Sequence, residues 1–547
     1  MISPYILIID YGSQLTQLVA RRVRDLGFYS EVISFTAVEK HSSINLKSTK
    51  LSLIRGIILS GGPNTVGENT SPCLEDSLLR LNVPILGICY GMQILADKLG
   101  GTVSYGKNRE FGKALIRARG HSKLFRGIQD YTNDEGHGLM EVWMSHGDSV
   151  TKLPPGFKLI ASSSDCEVAA IGNEEKNFYG LQFHPEASHT KKGSVILERF
   201  CKEICNCEQS WNMKNYASLQ IKKIKNEVKS DTVLLGLSGG VDSAVVAKIL
   251  DEAVGSQLIC IFVDTGLLRM NEASDVMSAF SGRLKGIVKK IDASKLFFNA
   301  LKGITDPEEK RKIVGKLFIE IFEKEACNFG DVKWLAQGTI YPDVVESAGN
   351  IGSVAKKIKS HHNVGGLPDR LSLKLLEPLR DLFKDEVRRL GTTLGLEHQL
   401  VFRHPFPGPG LSIRILGEVT EERVNLLQHA DQILINLLKN TAVDEKDIAQ
   451  GLTSSVNLGR SWYDSTSQAF VVFLPVKSVG VQGDNRTYQW TIAVRVVETN
   501  DFMTANIARL PFTLVENISS EIINKVENIN RVVFDISNKP PATIEWE

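Results

Sequence analysis

The sequence predicts an α/β protein: two successive domains built on mainly parallel sheets, followed by a smaller α+β module. Three observations predict it. Short, β-rich apolar runs alternate with amphipathic stretches. Two of those runs end in glycine turns that open onto a helical pattern, Gly-Ile-Cys-Tyr-Gly at 87–91 and Ser-Gly-Gly-Val-Asp-Ser at 238–243. The alternation also restarts after a polar stretch at 211–230. Strand and helix alternating in this way is the pattern of a parallel sheet covered by crossover helices. A chain of 547 residues is too long for one hydrophobic core and suggests about three or four domains.

Taken in order, the runs ILIID, GIILS, VPILGIC and YGLQFH read as strands of a first open sheet, assigned to residues 1–207. A helix is expected across 211–230, and VLLGL then begins a second sheet with LICIFVD and VKWLAQGT as further strands, giving a domain at 208–403. The segment RHPFPGPG at 403–410 is neither helix nor inner strand, because proline lacks the N–H and fixes φ; it is a linker or a structural loop. Beyond it, residues 404–547 are expected to hold a helix at 421–439, strands FVVFLPV and WTIAVRVV, a helix at 516–530 and a final strand RVVFDIS. No internal repeat is visible.

Composition narrows the function. Hydrophobic residues make up 42% and charged residues 23%, ordinary for a water-soluble chain, and no run approaches the roughly 18 apolar residues that span a bilayer. A membrane is therefore not an expected partner. The N-terminal segment has no basic stretch before its apolar run, so no export signal is expected. Eight cysteines across this length do not form the dense framework of a small secreted domain; reduced thiols and a cytoplasmic location are expected. The net charge of +1 supplies no field to hold a polyanion, which argues against nucleic acid and leaves small anions at local sites.

The first candidate site is a thiol. Cys89 sits where a buried strand turns into a helix, with Gly87 and Gly91 permitting the sharp bend that presents a nucleophile. A helix N-terminus favours thiolate over thiol through its unpaired N–H groups and dipole. Alone, such a cysteine is as readily a core residue. GLQFHPEAS adds His184 and Glu186, two apart on an expected extended segment and so pointing the same way, which would let the carboxylate polarise the imidazole while the imidazole serves Cys89. His137, His146 and His189 have no such partner in the sequence. Gly61-Gly62-Pro63, at the end of another strand, offers bare amides; with the Tyr90 amide, Gly61 would form an oxyanion hole, each donor worth about 3 kcal/mol. Read by itself, Gly-Gly-Pro is only a turn.

The second candidate site is the turn Ser238, Gly239, Gly240, Val241, Asp242 and Ser243 between the strand VLLGL and a helix. Its glycines let backbone amides face an anion at a helix N-terminus, and no lysine closes it as in the loop of P-loop kinases. Asp242 is suited to help bind Mg²⁺, which takes a few carboxylates together with phosphate oxygens. Lys384 and Glu386 lie at a charged helix start in EPLRDLFKDEVRRLG, where a solvated helix face explains them equally well.

The three segments of the first site, in this order, resemble the class I glutamine amidotransferase family over residues 1–207. That resemblance implies that Cys89 attacks the side-chain amide of L-glutamine, His184 protonates the leaving ammonia and Glu186 holds the imidazole. The Ser-Gly-Gly-Val-Asp-Ser turn resembles the ATP pyrophosphatases, which cleave ATP between its α and β phosphates; in that family the residues matching Lys384 and Glu386 approach the phosphates and the metal. SHHNVGGLP at 360–368, RHPFPGPGL at 403–411, VGVQGDNRTY at 479–488, ETNDFMTA at 498–505 and the final KPPATIEWE resemble the GMP synthetase family, so that the resemblance spans the whole chain. It implies that Arg311, Gln482 and Lys539 recognise the 5′-phosphate and base of XMP, that Thr543, Ile544 and Glu545 close over it, and that residues 404–547 form a dimerisation module in a homodimer. Each of these residues is otherwise an ordinary surface position.

The reaction so implied uses ATP and Mg²⁺ to adenylate the C2 oxygen of XMP; ammonia then displaces AMP to give GMP. Ammonia must stay unprotonated, so a shielded route and a domain movement are expected. Rival readings fit less well. CTP synthetase carries its amidotransferase after a P-loop domain, and here it comes first. A tRNA-thiolating enzyme needs a basic surface and dedicated cysteines, whereas the second domain holds Cys260 and Cys327 alone. A non-enzymatic relative would have lost a catalytic position. Cys201, Cys205 and Cys207 are closely spaced, but no fourth zinc ligand follows at finger-like spacing.

Overall fold

The computed structural model describes residues 4–39, 51–68, 71–330, 332–344, 373–499, 502 and 504–547. The expected SHHNVGGLP segment lies outside them, as do Asn500, Asp501 and Met503 of ETNDFMTA and the side chain of Gln482. The chain divides into two compact units, Met1–Tyr216 and Ala217–Glu547. Among the described residues no helix is long and apolar enough to cross a membrane.

The first unit is organised by one described sheet. Its parallel half consists of β1 (Tyr5–Asp10), β2 (Ser30–Ser34), β3 (Ile54–Leu59) and β4 (Ile85–Ile88), joined later in the chain by β10 (Phe178–Leu181), in the order β2-β1-β3-β4-β10. β1 and β4 are near-continuous apolar runs because both of their faces are covered. The sheet continues antiparallel through β9 (Ala170–Asn173), β8 (Lys158–Ser162), β5 (Thr102–Ala118), β7 (Gly138–Lys152) and β6 (Tyr131–Thr132). The parallel half is written in the sequence as apolar runs; the antiparallel half is not, because β5 and β7 alternate polar with apolar residues.

In the second unit, β11 (Thr232–Gly236), β12 (Leu258–Asp264), β13 (Ile287–Asp292), β14 (Val332–Ala336) and β15 (Lys374–Leu376) form an all-parallel sheet in the order β13-β12-β11-β14-β15. The order reverses between β11 and β14, so the crevice beyond their carboxyl ends is where such a sheet binds ligands. A second sheet pairs β16 (Gln468–Gln482) antiparallel with β17 (Asn485–Glu498), which in turn pairs with β18 (Asn506–Ile507) and, in parallel, with β19 (Ile529–Phe534). One hydrophobic cluster runs through both sheets, from Leu234 and Ile261 through Leu411, Leu427 and Trp462 to Phe473, Ile492 and Ile522.

The proline-rich segment at 403–410 is a structural loop. Its His404 is buried and stacks on Tyr463 with centroids 3.8 Å apart, while the Leu411 amide donates to Leu267 O. Gly410 has φ +64°, and a Cβ there would lie 2.4 Å from Leu267 O, so glycine is required at this crossing. The helix expected at 516–530 instead runs Phe512–Lys525: Pro511 occupies its N-cap, and Asn528, at φ +63°, turns the chain into β19.

Candidate active site

In the first unit, β4 ends at Ile88 and the helix Tyr90–Lys98 begins two residues later, leaving Cys89 between them as N-cap with φ 52° and ψ −110°. A non-glycine residue at positive φ is strained and persists only when its surroundings over-determine it. They do so here. A Cβ on Gly91 would lie 2.2 Å from Leu59 O, and one on Gly87 would lie 2.5 Å from Gly91 O, so the helix can press onto the sheet only with glycine at both positions. The Cys89 amide donates to Leu181 O at 2.7 Å, locking the turn to the end of β10.

Because β4 and β10 are parallel neighbours, Cys89 and the residues after Leu181 share one sheet edge. The strand stops at Leu181, so the expected extended register does not join His184 to Glu186; Pro185 has no N–H to extend the ladder, and the pair meets across a turn with Nδ1 2.7 Å from Glu186 Oε1. His184 is further fixed by its amide donating to Trp143 O and by Thr190 Oγ1 donating to its carbonyl. Burial by itself would lower the imidazole pKa, but the hydrogen bonds and charges of Cys89 and Glu186 outweigh it and raise it to about 10. Gly61 borders the same space, its Cβ position being 3.4 Å from His184 Cε1, and Gly62 packs under the Tyr90 ring. The structure therefore brings Cys89, Tyr90, His184, Glu186 and Gly61 together.

In the second unit the glycine loop leaves β11 at the switch point. Ser238 Oγ and Ser243 Oγ lie 3.0 Å apart, the Gly240 amide donates to Ser238 Oγ, and Ser243 Oγ donates to Gly240 O, so the hydroxyls brace the turn. Gly239 has φ +76°, and Arg403, paired with Glu272 at 2.6 Å, donates to its carbonyl. Val241 and Asp242 start the following helix, and Lys384 Nζ lies 2.6 Å from Asp242 Oδ2. Asp242 Oδ1 is buried and makes no hydrogen bond. Glu386 is 1% exposed, and its Oε2 accepts from the Phe383 amide at 2.9 Å, capping the helix Lys384–Thr393.

The residues near the C-terminus gather around buried cations. Arg414, with a fully buried side chain, donates to both oxygens of Glu545 at 3.1 and 2.8 Å, and Gln468 donates to the same carboxylate. Arg495 donates to the carbonyls of Ile544 and Thr543, both at 2.8 Å. Lys310, also fully buried, meets Glu547 and the carbonyls of Ser412 and Ile415; burial holds its ammonium below the usual lysine range. Arg311 donates to Glu547 O, and Thr543 Oγ1 donates to Glu545 O. Lys539 Nζ donates to Phe502 O at 2.7 Å.

Three family models match the chain: glutamine amidotransferase class-I over residues 7–204, NAD synthase over 213–296 and the GMP synthase C-terminal domain over 458–546. The curated protein named GMP synthase (glutamine-hydrolyzing) from Methylobacillus flagellatus is 56% identical over 542 residues, covering 99% of each chain. The chain belongs to the glutamine-hydrolyzing GMP synthase family. The protein of that name from Bordetella bronchiseptica is 55% identical, again over 99% of both chains.

In this member of the GMP synthase family, several groups that touch the candidate residues carry no signal in the sequence. Gln182 Nε2 points at Cys89 Sγ from 3.7 Å, and Cys89 Sγ donates to Ser145 O at 3.6 Å. Gln93 Nε2 bonds both Asp148 O and Gln182 Oε1. Gln93 is the exception, since a buried glutamine on an otherwise apolar helix face demands partners. Arg414 and Arg495 gave no local signal, as their partners lie more than a hundred and some fifty residues away respectively.

Proposed function

We propose that this chain makes GMP in two coupled steps, one in each unit. The overall reaction is ATP + XMP + L-glutamine + H₂O to AMP + diphosphate + GMP + L-glutamate. In the first unit Cys89 attacks the glutamine carboxamide, and the amides of Gly61 and Tyr90 stabilise the tetrahedral oxyanion. His184, oriented by Glu186, delivers a proton to the departing ammonia and then activates the water that releases glutamate. The observation that carries this assignment is the strained Cys89 turn facing an imidazole whose Nδ1 lies 2.7 Å from a buried carboxylate.

In the second unit the XMP C2 oxygen attacks the α phosphate of ATP, and diphosphate leaves. We assign Ser238, Gly239, Gly240, Val241, Asp242 and Ser243 to ATP, with Lys384, 2.6 Å from Asp242, as the cation beside the phosphates. Ammonia then adds at C2 and AMP departs; converting the oxygen to an adenylate turns a poor leaving group into a good one. Asp242 fits Mg²⁺, because its buried Oδ1 has no hydrogen bond and a hard cation takes such an oxygen together with phosphate oxygens. Mg²⁺ bound there would neutralise phosphate charge, and we assign Glu386, which also caps the turn carrying Lys384, to the same ion. Arg311, Gln482, Lys539, Thr543, Ile544 and Glu545 are assigned to XMP, supported by the cationic surroundings of the last residues.

We also assign a homodimer formed through residues 404–547, supported by the exposed Val476, Val479, Val481 and Tyr488 on the β16–β17 hairpin. A cytoplasmic location is supported by the eight free cysteines. The test is an assay of AMP and GMP release from XMP, ATP and Mg²⁺ with either glutamine or ammonium. Cys89→Ala is expected to lose glutamine use and keep ammonium use; release of ADP and orthophosphate without diphosphate would overturn the scheme.

A further inference from the structure

Alternate residues of β7 face inward, and the row Met140, Val142, Met144 and Val150 is what a sheet buries. His146 and Asp148 interrupt it. Two further donor side chains converge on His146: Glu110 from the neighbouring β5, and Cys166 from the segment between β8 and β9. One ligand atom from each of the three lies within 4.8 Å of the other two, the only such group among the described residues.

His146 is 6% exposed, and its Nδ1 lies 3.1 Å from Asp148 O, a group that can only accept. Nδ1 therefore carries the proton, and in the neutral ring Nε2 is left as a bare lone pair. That nitrogen is buried and makes no hydrogen bond, although Glu110 Oε2 lies 3.4 Å away. In that neutral form the lone pair and the carboxylate oxygen would be two acceptors face to face, which a cation between them would relieve. Ser163 Oγ donates to Glu110 and accepts from the Cys166 amide, tying the carboxylate to the cysteine turn.

We propose that Glu110, His146 and Cys166 form a buried site for a thiophilic divalent cation, Zn²⁺. Nitrogen, sulfur and oxygen donors in one cluster match its ligand preferences, and a water completes a tetrahedron. Bond lengths of about 2.0–2.3 Å require the donor atoms to draw together by roughly 1 Å, a rotamer-scale adjustment. The Cys166 thiol gives up its proton to solvent on binding; burial and the charge of Glu110 push that thiol up to about 12, and the cation reverses the sign of its surroundings. Asp148 O and Ser163 serve as outer partners that orient the ligands.

The site has a path to the sulfur of Cys89. Asp148 O accepts from both His146 Nδ1 and Gln93 Nε2; Gln93 also donates to Gln182 Oε1, and Gln182 donates to Cys89 Sγ. A cation on His146 would thus anchor one end of the polar network that positions the nucleophile.

The experiment uses the full-length Cys89→Ala chain, which removes the competing nucleophile thiol, stripped with chelator and titrated with Zn²⁺ and, as a spectroscopic probe, Co²⁺. The expected result is one tightly bound equivalent with thiolate-to-cobalt charge-transfer absorption. His146→Ala and Cys166→Ser added singly should weaken binding by at least the roughly 10–100-fold that loss of even an outer partner costs, whereas Cys201→Ser should leave it unchanged. Failure of the Cys89→Ala chain to bind either ion overturns the proposal, assigning the His146–Glu110 contact to an imidazolium ion pair. So does binding that survives both substitutions. The titration of the Cys89→Ala chain is decisive even if one of the further variants fails to fold.

Discussion

Lys384 Nζ stands 2.6 Å from Asp242 Oδ2, joining the first turns of two helices at the mouth of the glycine loop. Neither partner is deeply buried, so the pair contributes little to stability and is free to be exchanged for phosphate and cation. Lys384→Ala is expected to lower diphosphate release by roughly 10²–10³-fold, the scale for losing one preorganised charge at a developing oxyanion. Glutamine hydrolysis measured alone should be spared. Unchanged diphosphate release would place the pair outside the reaction.

The pH dependence of the first unit should carry the mark of His184. Its imidazole pKa is raised from 6.5 to about 10, against the opposing effect of burial, by its contacts with Cys89 and Glu186. A group whose folded value exceeds its unfolded value stabilises the fold fully below pH 6.5, and that contribution is lost as pH rises toward 10. NMR titration should find the His184 ring still protonated at pH values where an ordinary histidine is neutral. Glu186→Gln should bring the titration down and flatten the fall in stability with pH. A ring that titrates like a free histidine in the intact protein would refute this.

Glu545 is the partner that lets Arg414 be wholly buried. Removing one member of a buried pair strands the other, at a cost of about 3–5 kcal/mol. Glu545→Ala should therefore lower the thermal midpoint of the second unit and raise KM for XMP together. If KM rose with no thermal change, the contact would belong to nucleotide binding alone.

What was legible in the sequence was local. The Cys89 turn and the 238–243 loop are contiguous runs in which glycine, a functional side chain and a helix start follow one another, so the chain order already contains the geometry. The strands β1, β4, β11 and β12 were equally plain, because double-sided burial writes them as apolar runs. What escaped depended on pairings distant in sequence. β5 and β7 are recognisable only once they face each other, and Gln182 meets Cys89 across 93 positions. Glu386 carries two readings at once: a glutamate at the third helical position serves as a cap, as its Oε2 does here, and can also ligate a metal, and the sequence does not rank the two.

The left-handed backbone at Cys89 sets protein durability against glutamine use at a single position. Glycine adopts that conformation freely, so Cys89→Gly would relieve about 1–3 kcal/mol of strain while deleting the thiol. A laboratory selection for heat resistance alone, run on cells fed ample ammonium, would have reason to drift toward this replacement. Its survivors would be sturdier molecules that had surrendered their nitrogen donor.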